Sequence, residues 1–187
     1  IEALNLGARG IVPPVAVFAE DQTSGRGRFG RSWESAPGEG IALSLLLRPA
    51  APQCHWPRLT TLAALAVAEA VRRCARINVQ IKWPNDVTHG GRKLAGILAE
   101  TGTHPKHGPF VVLGIGININ QSDFPGPIAE TAASLKSITG WLQCFWMKSA
   151  YGLSKRTACV RGFAKFSSSF RAEAVPLEIP YPSTPEA

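Results

Sequence analysis

Val79 to Asn118 reads VQIKWPNDVTHGGRKLAGILAETGTHPKHGPFVVLGIGIN, and this stretch decides the fold. Val79-Gln80-Ile81-Lys82-Trp83 has the composition of a strand. Pro84 has no N–H to give to a sheet ladder, so it argues for an edge or a bulge. His89-Gly90-Gly91 is a hairpin turn, because glycine tolerates the positive φ that tight turns need. Lys93 to Thr101 is the returning strand, and Phe110 to Asn118, nearly all apolar, is expected near the centre of a sheet. With the turn centred on Gly90-Gly91, Thr88 faces Lys93 and Asp86 faces Ala95. Asp86 and Lys93 then become diagonal neighbours on one face.

Working towards the N-terminus, Arg58 to Arg76 (RLTTLAALAVAEAVRRCAR) reads as a helix, with Leu62, Leu65, Ala66, Glu69 and Arg73 at spacings of three and four. Ile41 to Leu47 and Val15 to Ala19 are short apolar strands. Between them Glu20 to Gly40 is a long polar loop rich in Gly and Arg, and loops of that length inside compact domains are usually functional. Pro13-Pro14 breaks the chain after the last turns of a helix in residues 1–10. The hairpin is antiparallel and helices do not alternate regularly with strands. The expected class is therefore α+β, a mixed sheet flanked by helices. Residues 141–187 follow neither the helical nor the strand period well and end in a Pro-rich run.

At 187 residues the chain has the length of one domain with a tail, and 45% hydrophobic residues suffice for a core. No apolar run approaches the ~20 residues that cross a bilayer. The net charge of +7 divides into +4 over 1–140 and +3 over 141–187, and suggests an anionic partner without naming it. Cys54, Cys74, Cys144 and Cys159 form no CxxC pair and read as reduced structural thiols of a cytoplasmic protein. Asn120-Gln121-Ser122 fits a glycosylation sequon, which matters only in a secreted protein. His55, His89, His104 and His107 lie in turn-like stretches with no zinc-ligand spacing. The chain begins at Ile1 and its one methionine is Met147, so a fragment or trimmed domain is expected.

Four constellations could carry chemistry. Gly25-Arg26-Gly27-Arg28-Phe29-Gly30-Arg31 matches GxGxxG literally. No convincing helix follows it, and the next strand ends in Arg48-Pro49 rather than an acid, so a dinucleotide fold is disfavoured. Its glycines let backbone approach a ligand and its arginines donate to phosphate or carboxylate. A solvated basic loop or a nucleic-acid contact is the plain alternative. Lys82-Trp83-Pro84-Asn85-Asp86 crowds a cation, an amide and a carboxylate around proline, or is simply turn chemistry. Arg92-Lys93-Leu94-Ala95-Gly96-Ile97 sets Lys93 beside Asp86, as a simple ion pair or a ligand group. Gly114-Ile115-Gly116-Ile117-Asn118 puts two side-chain-free sites on one strand face, for a flat ligand or for close packing.

Taken together, in order and spacing, these blocks (the first extended to Gln22 and Trp33) resemble the signature blocks of bacterial biotin protein ligases, also called biotin–[acetyl-CoA-carboxylase] ligases. The resemblance covers about residues 1–140. It implies a catalytic domain related to class II aminoacyl-tRNA synthetases and lipoate ligases. It also implies a two-step reaction: the biotin carboxylate attacks the α-phosphate of ATP, held with Mg2+, to give biotinyl-5′-AMP and pyrophosphate. A lysine of biotin carboxyl carrier protein then takes the biotinyl group and releases AMP. Carried over by motif position, Arg28, Lys93 and Asp86 would be the catalytic set. Arg26 and Arg28 would hold carboxylate and phosphate, and Lys93 would polarise both. Gly25, Gly27 and Gly30 would let the loop close over the adenylate, and Trp33 would wall the adenine. Asn85 and Asp86 would meet the nucleotide, Mg2+ or the incoming lysine. Asn118 would bond the adenine, Gln22 and Gly116 would line the biotin site, and Lys82, Gly96 and Gly114 would complete the set.

Three departures accompany the resemblance. The Ser-Thr pair usual upstream of the first helix is absent, Phe29 stands where Arg is common, and the resemblance stops near Gly140 with no recognisable C-terminal barrel. The domain expectation is an N-terminally incomplete catalytic domain over 1–140 and a divergent tail over 141–187. No membrane or nucleic-acid partner is expected, and a homodimer is compatible with the family. The rivals are a lipoate or octanoate ligase of the same fold, an inactive truncated ligase, and a module binding nucleic acid through its Arg-Gly loop.

Overall fold

Phe110 and Val112 face one way and Val111, Leu113, Ile115 and Ile117 the other, and that alternation sorts two cores onto the two faces of one sheet. A computed structural model describes residues 1–140 and, as backbone alone, 172–176. The elements are α1 (Glu2–Ala8), β1 (Val15–Ala19), β2 (Gly40–Leu47), α2 (Arg58–Ala75), β3 (Gln80–Lys82), β4 (Asp86–His89), β5 (Arg92–His104), β6 (Gly108–Asn118), α3 (Leu135–Thr139) and β7 (Ala172–Pro176). The seven strands lie in the order β3-β4-β5-β6-β2-β1-β7. The α+β class is as expected. The described strand pairings, however, are all antiparallel rather than mixed, and one parallel contact, an isolated bridge, joins Lys93 to Ala132. Consecutive hairpins over 80–118 leave no crossover that would turn a strand parallel.

Pro84 lies in neither an edge strand nor a bulge. It sits in the turn between β3 and β4, which pair back on each other with Lys82 opposite Asp86. The Trp83–Pro84 peptide bond is cis, as is Pro13–Pro14. The bulge falls later. Val87 pairs with Ala95 but Thr88 with Lys93, which leaves Leu94 as the extra residue and puts Asp86 opposite Gly96, not Ala95.

The large core joins α2 to the sheet through Ala63, Ala64, Val67 and Val71. Leu62 and Leu65 stand on the outer side of this helix, more than half exposed, so small residues and valines form the packing stripe. Arg76 ends the helix in the left-handed conformation, φ 56°. On the exposed side Glu69 takes hydrogen bonds from Arg72 and Arg73, which hold its carboxyl down at about 2. The opposite sheet face is covered only in part. There α1 packs Ala3 and Leu6 against Val15, Val17, Leu46, Phe110 and Val112. The Phe110 ring is wedged so closely that a Cβ at Gly7 or at Gly102 would enter it. Among the described residues short α1 covers only this part of that face.

β7 pairs with β1, an element the composition of 172–176 (AEAVP) does not announce, since it lacks alternation. The rest of the tail, with Cys144 and Cys159, lies outside the described residues, as does any judgement on a barrel. Cys54 and Cys74 are free thiols. Among the described residues no helix is long and apolar enough to cross a membrane.

At the β5–β6 turn the His104 and His107 rings stack with centroids 4.7 Å apart. The N–H groups of Lys106 and His107 donate to His104 Nδ1, both at 3.2 Å. Removal from water, then the neighbouring His107, Arg48 and Lys106, hold the His104 pKa below its ordinary 6.5. The folded chain therefore binds fewer protons here than the unfolded one. The His104 contribution to stability is present above 6.5 and is lost as pH falls below 6.5 and through the lowered folded value. Unfolding midpoints from neutral pH to pH ~5 should fall more steeply for the parent than for His104→Asn. Phe110→Ala, which empties the space beside Gly7 and Gly102, should cost about 3–5 kcal/mol in denaturant unfolding.

Candidate functional site

Across three strands the open part of the sheet carries almost no side chains. Gly96 on β5 pairs with Gly116 on β6, and Gly116 pairs with Ala42 on β2; one step along, Gly114 pairs with Ser44. The result is a trough. Trp33 lies in it: a Cβ at Gly116 would stand 2.7 Å from indole Cζ2, and one at Gly96 would stand 3.0 Å from Cζ3. Gln22, Arg26, Gly27, Arg28, Trp33, Leu43, Ser44, Asn85, Lys93, Gly96, Ile97, Leu98, Gly114, Ile115 and Gly116 line one cavity at this place.

The arginine loop folds as a small hairpin of its own. Gly27 N–H donates to Arg31 O at 2.7 Å, Trp33 N–H donates to Gly25 O at 3.0 Å, and Arg26 bridges Ser32. A side chain at Gly25 would collide with the Trp33 carbonyl, so glycine is needed for this closure. The tip is a 3-10 turn over Arg28–Gly30 in which Phe29 takes φ 57°, a left-handed conformation that is uncommon outside glycine. Phe29 is itself 86% exposed. Arg28 donates from Nη1 to Asn85 Oδ1 at 3.0 Å. Asn85 is held in turn: its Nδ2 donates to Ile97 O at 3.2 Å, and Ile97 N–H donates to Asn85 O at 2.8 Å.

Lys93 lines the cavity from a position opposite Thr88 on β4, beside the bulge at Leu94. The segment before α3 takes up its backbone on the other side. Lys93 N–H donates to Thr131 O at 2.7 Å, and Ala133 N–H donates to Lys93 O at 2.8 Å. Buried Asn118 closes the clamp, its Nδ2 donating to Ala133 O at 3.1 Å and to Lys93 O at 3.4 Å. Lys93 Nζ stands 2.8 Å from Asp86 Oδ1, which is shielded from water and accepts no well-aligned hydrogen bond, so the contact is a charge pair. The same ammonium lies 5.5 Å from the Trp33 ring centroid, within cation–π range.

Charges are distributed unequally over the cavity. Arg26 is paired with Glu100 at 3.0 Å and Lys93 with Asp86, whereas Arg28 meets a neutral amide. Among the described lining residues Arg28 is thus the cation whose recorded hydrogen bond goes to no carboxylate. An anion entering the trough meets Arg28 over a side-chain-free floor, with Lys93 and an indole beside it.

Of the residues singled out by sequence, Gln22, Arg26, Gly27, Arg28, Trp33, Asn85, Lys93, Gly96, Gly114 and Gly116 line this cavity, and Asp86 touches it through Lys93. Four are placed elsewhere. Gly25 supports Trp33 from behind, and Gly30, φ 72°, sits at the open loop tip. Lys82 lies on β3, whose residues are all exposed at the sheet edge. Asn118 is 5% exposed beneath Lys93, with its Nδ2 bonded to backbone. Sequence reading missed Leu43 and Ser44, and it assigned no role to Ile97, Leu98 and Ile115. A signal existed for Ser44, one polar residue in the apolar run IALSLLL.

Residues 8–118 match the family model described as biotin/lipoate A/B protein ligase family. The chain is 45% identical over 126 residues to the bifunctional ligase/repressor BirA of Bacillus spizizenii, covering 66% of this chain and 39% of that protein. It is 42% identical over 125 residues to the biotin–[acetyl-CoA-carboxylase] ligase of Mycobacterium tuberculosis, covering 65% of this chain and 44% of that one. The biotin protein ligase from Aquifex aeolicus, solved in complex with biotin and ATP, superposes with a TM-score of 0.56 at 36% identity, over 67% of this chain and 51% of that one. The chain thus spans about two-fifths of the length of the curated relatives it matches.

Gly116→Ala should cost about 1–3 kcal/mol in unfolding experiments, because its methyl must displace the indole. In a Trp33→Ala background the same change should cost close to nothing, and the double-mutant cycle measures that coupling.

Proposed function

The chain belongs to the biotin/lipoate A/B protein ligase family, and from that premise we propose that it joins biotin to ATP as biotinyl-5′-AMP and passes the biotinyl group to a lysine of biotin carboxyl carrier protein. The observation that carries this reading is the convergence of Arg28 and Lys93 over the floor of Gly96, Gly114 and Gly116. Two anions, a carboxylate and a triphosphate, must meet for the first step, and their repulsion has to be offset by fixed cations and donors.

Arg28 holds the biotin carboxylate against the α-phosphate, and Lys93 polarises both oxygens as the acyl–phosphate bond forms and pyrophosphate leaves. Asp86 keeps the Lys93 ammonium aimed, its oxygen 2.8 Å away. Trp33, already stacked beside that ammonium, walls the adenine. Gln22 and Ser44 face the biotin end, and Gly27 lets the loop backbone approach the phosphates. Folding the loop down excludes water, which would hydrolyse the mixed anhydride. The carrier's lysine amine then attacks the biotinyl carbonyl, an amide forms, and AMP departs with its bond electrons.

Mg2+ accompanies ATP as part of the substrate. Asp86 is a carboxylate at hand but is committed to Lys93, and the described residues hold no cluster of three or more metal-ligating side chains. A cytoplasmic setting suits both ATP and the free thiols Cys54 and Cys74.

ATP–pyrophosphate exchange by the 187-residue chain tests the reading, with the expected result an exchange that depends on biotin. Lipoate dependence instead would move the substrate to the other branch of the family, and exchange with neither would remove the activity from this chain. Arg28→Ala should lower biotin-dependent exchange on the order of 10²-fold; a parental rate would exclude Arg28 from its role.

A further inference from the structure

Glu100 belongs to no signature block, and its side chain does not line the cavity. It stands on β5, on the same face as Gly96 and Leu98, where the trough gives way to the surface packed by α1. Across a sequence separation of 74 residues Arg26 donates from Nη2 to Glu100 Oε2 at 3.0 Å. Arg26 does line the cavity. One guanidinium therefore joins a fixed strand to the binding space.

The loop that carries Arg26 is internally closed by its own hydrogen bonds and forms one unit. Three attachments bring it to the sheet: the Trp33 indole in the trough, Arg28 on Asn85 near the tip, and Arg26 on Glu100 near the base. A ligand anion that takes the Nη1 end of Arg28 displaces Asn85 from it. The base contact is compatible with binding. Guanidinium offers five N–H donors in a rigid fork, and Glu100 engages the Nη2 end.

We propose that Glu100 is a positioning residue: it fixes Arg26, and through it the Gly25–Arg31 loop, over the cavity, so that the remaining Arg26 donors are ordered for an anionic substrate before that substrate arrives. The proposal rests on the biotin-activating reading for the identity of the substrate, though not for the latch itself. Both partners are partly exposed, with side-chain accessibilities of 42% for Arg26 and 30% for Glu100, so the pair is of the modest class. A modest latch is what a loop needs if it is to open for product release.

The test uses the whole chain with Glu100→Ala and Glu100→Gln. Trypsin cleaves after Arg26, Arg28 and Arg31, so cleavage within the loop reports its opening. Loss of the latch should speed loop cleavage about fivefold in Glu100→Ala. It should raise the biotin KM by about the same factor with kcat changed less than about twofold, since the interaction orders a binding group. Glu100→Gln keeps an acceptor for Arg26 and should lie near the parent in both measurements. Parental cleavage rates in Glu100→Ala overturn the proposal, as does a lowered biotin KM, which would make Glu100 a competitor of the substrate. If the parent chain shows no biotin-dependent exchange, the reading of its function falls, and the cleavage ratio still decides whether Glu100 holds the loop.

Discussion

Missing side chains set the depth of the trough, and the site depends on that absence. Gly96, Gly116 and Ala42 are paired neighbours across three strands. On the same sheet face, a few residues along, Leu46, Phe110 and Val112 fill the space under α1. Bulk in one half fastens a helix, and its lack in the other makes room for an indole. Trp33 can lie against the sheet only where no Cβ intervenes, and the loop closing at Gly25 and Trp33 is seated by that ring. Arg26 and Arg28 take their places from the loop. A single methyl on the floor would thus be felt by cations that never touch it.

Lys93 is placed by a second device, independent of the floor. Lys93 stays opposite Thr88 on β4, yet its N–H and C=O turn away from that strand. An unpaired backbone group in a half-buried position is expensive, so another partner has to be supplied. Residues 131–133 supply it, and buried Asn118 braces both strands of the contact. The clamp lies some forty positions from Lys93 in sequence and shares no motif with it. Asn118 is consequently read better as a support for the lysine than as a ligand contact, although it ends the same glycine-bearing strand.

This division explains what was legible in the sequence. The hairpin, the central strand and α2 follow from local period and turn chemistry, and the structure contains them with ends shifted by a few residues. The Asp86–Lys93 pair was also readable, because strand alternation brings the two to one face even though the bulge alters the exact partner of Asp86. Sheet direction was not readable: whether the pairings are mixed or antiparallel depends on non-local choices. Nor was the helix stripe. Leu62 and Leu65 obey the period as well as Ala64 and Val67 do, and only the neighbouring sheet decides which set is buried. Glu100 and the 131–133 clamp carry no local mark, since their meaning arises only where distant segments meet.

The arrangement of charge bears on how the fold carries three cations in one trough. Like charges about 4 Å apart repel by ~4 kcal/mol at an effective dielectric near 20, so bare cations crowded into one trough would oppose folding. Carboxylates at Glu100 and Asp86 relieve two of them while leaving their donors in place. Arg28 is treated differently, being held by a neutral amide on a residue itself locked to Ile97. A charge-assisted bond to an arriving carboxylate or phosphate is stronger than that amide contact, so exchange favours the anion. Had Arg28 also been given a carboxylate, an anion would have to displace it and would gain little by entering. The trough thus leaves one cation without a carboxylate and holds the other two still.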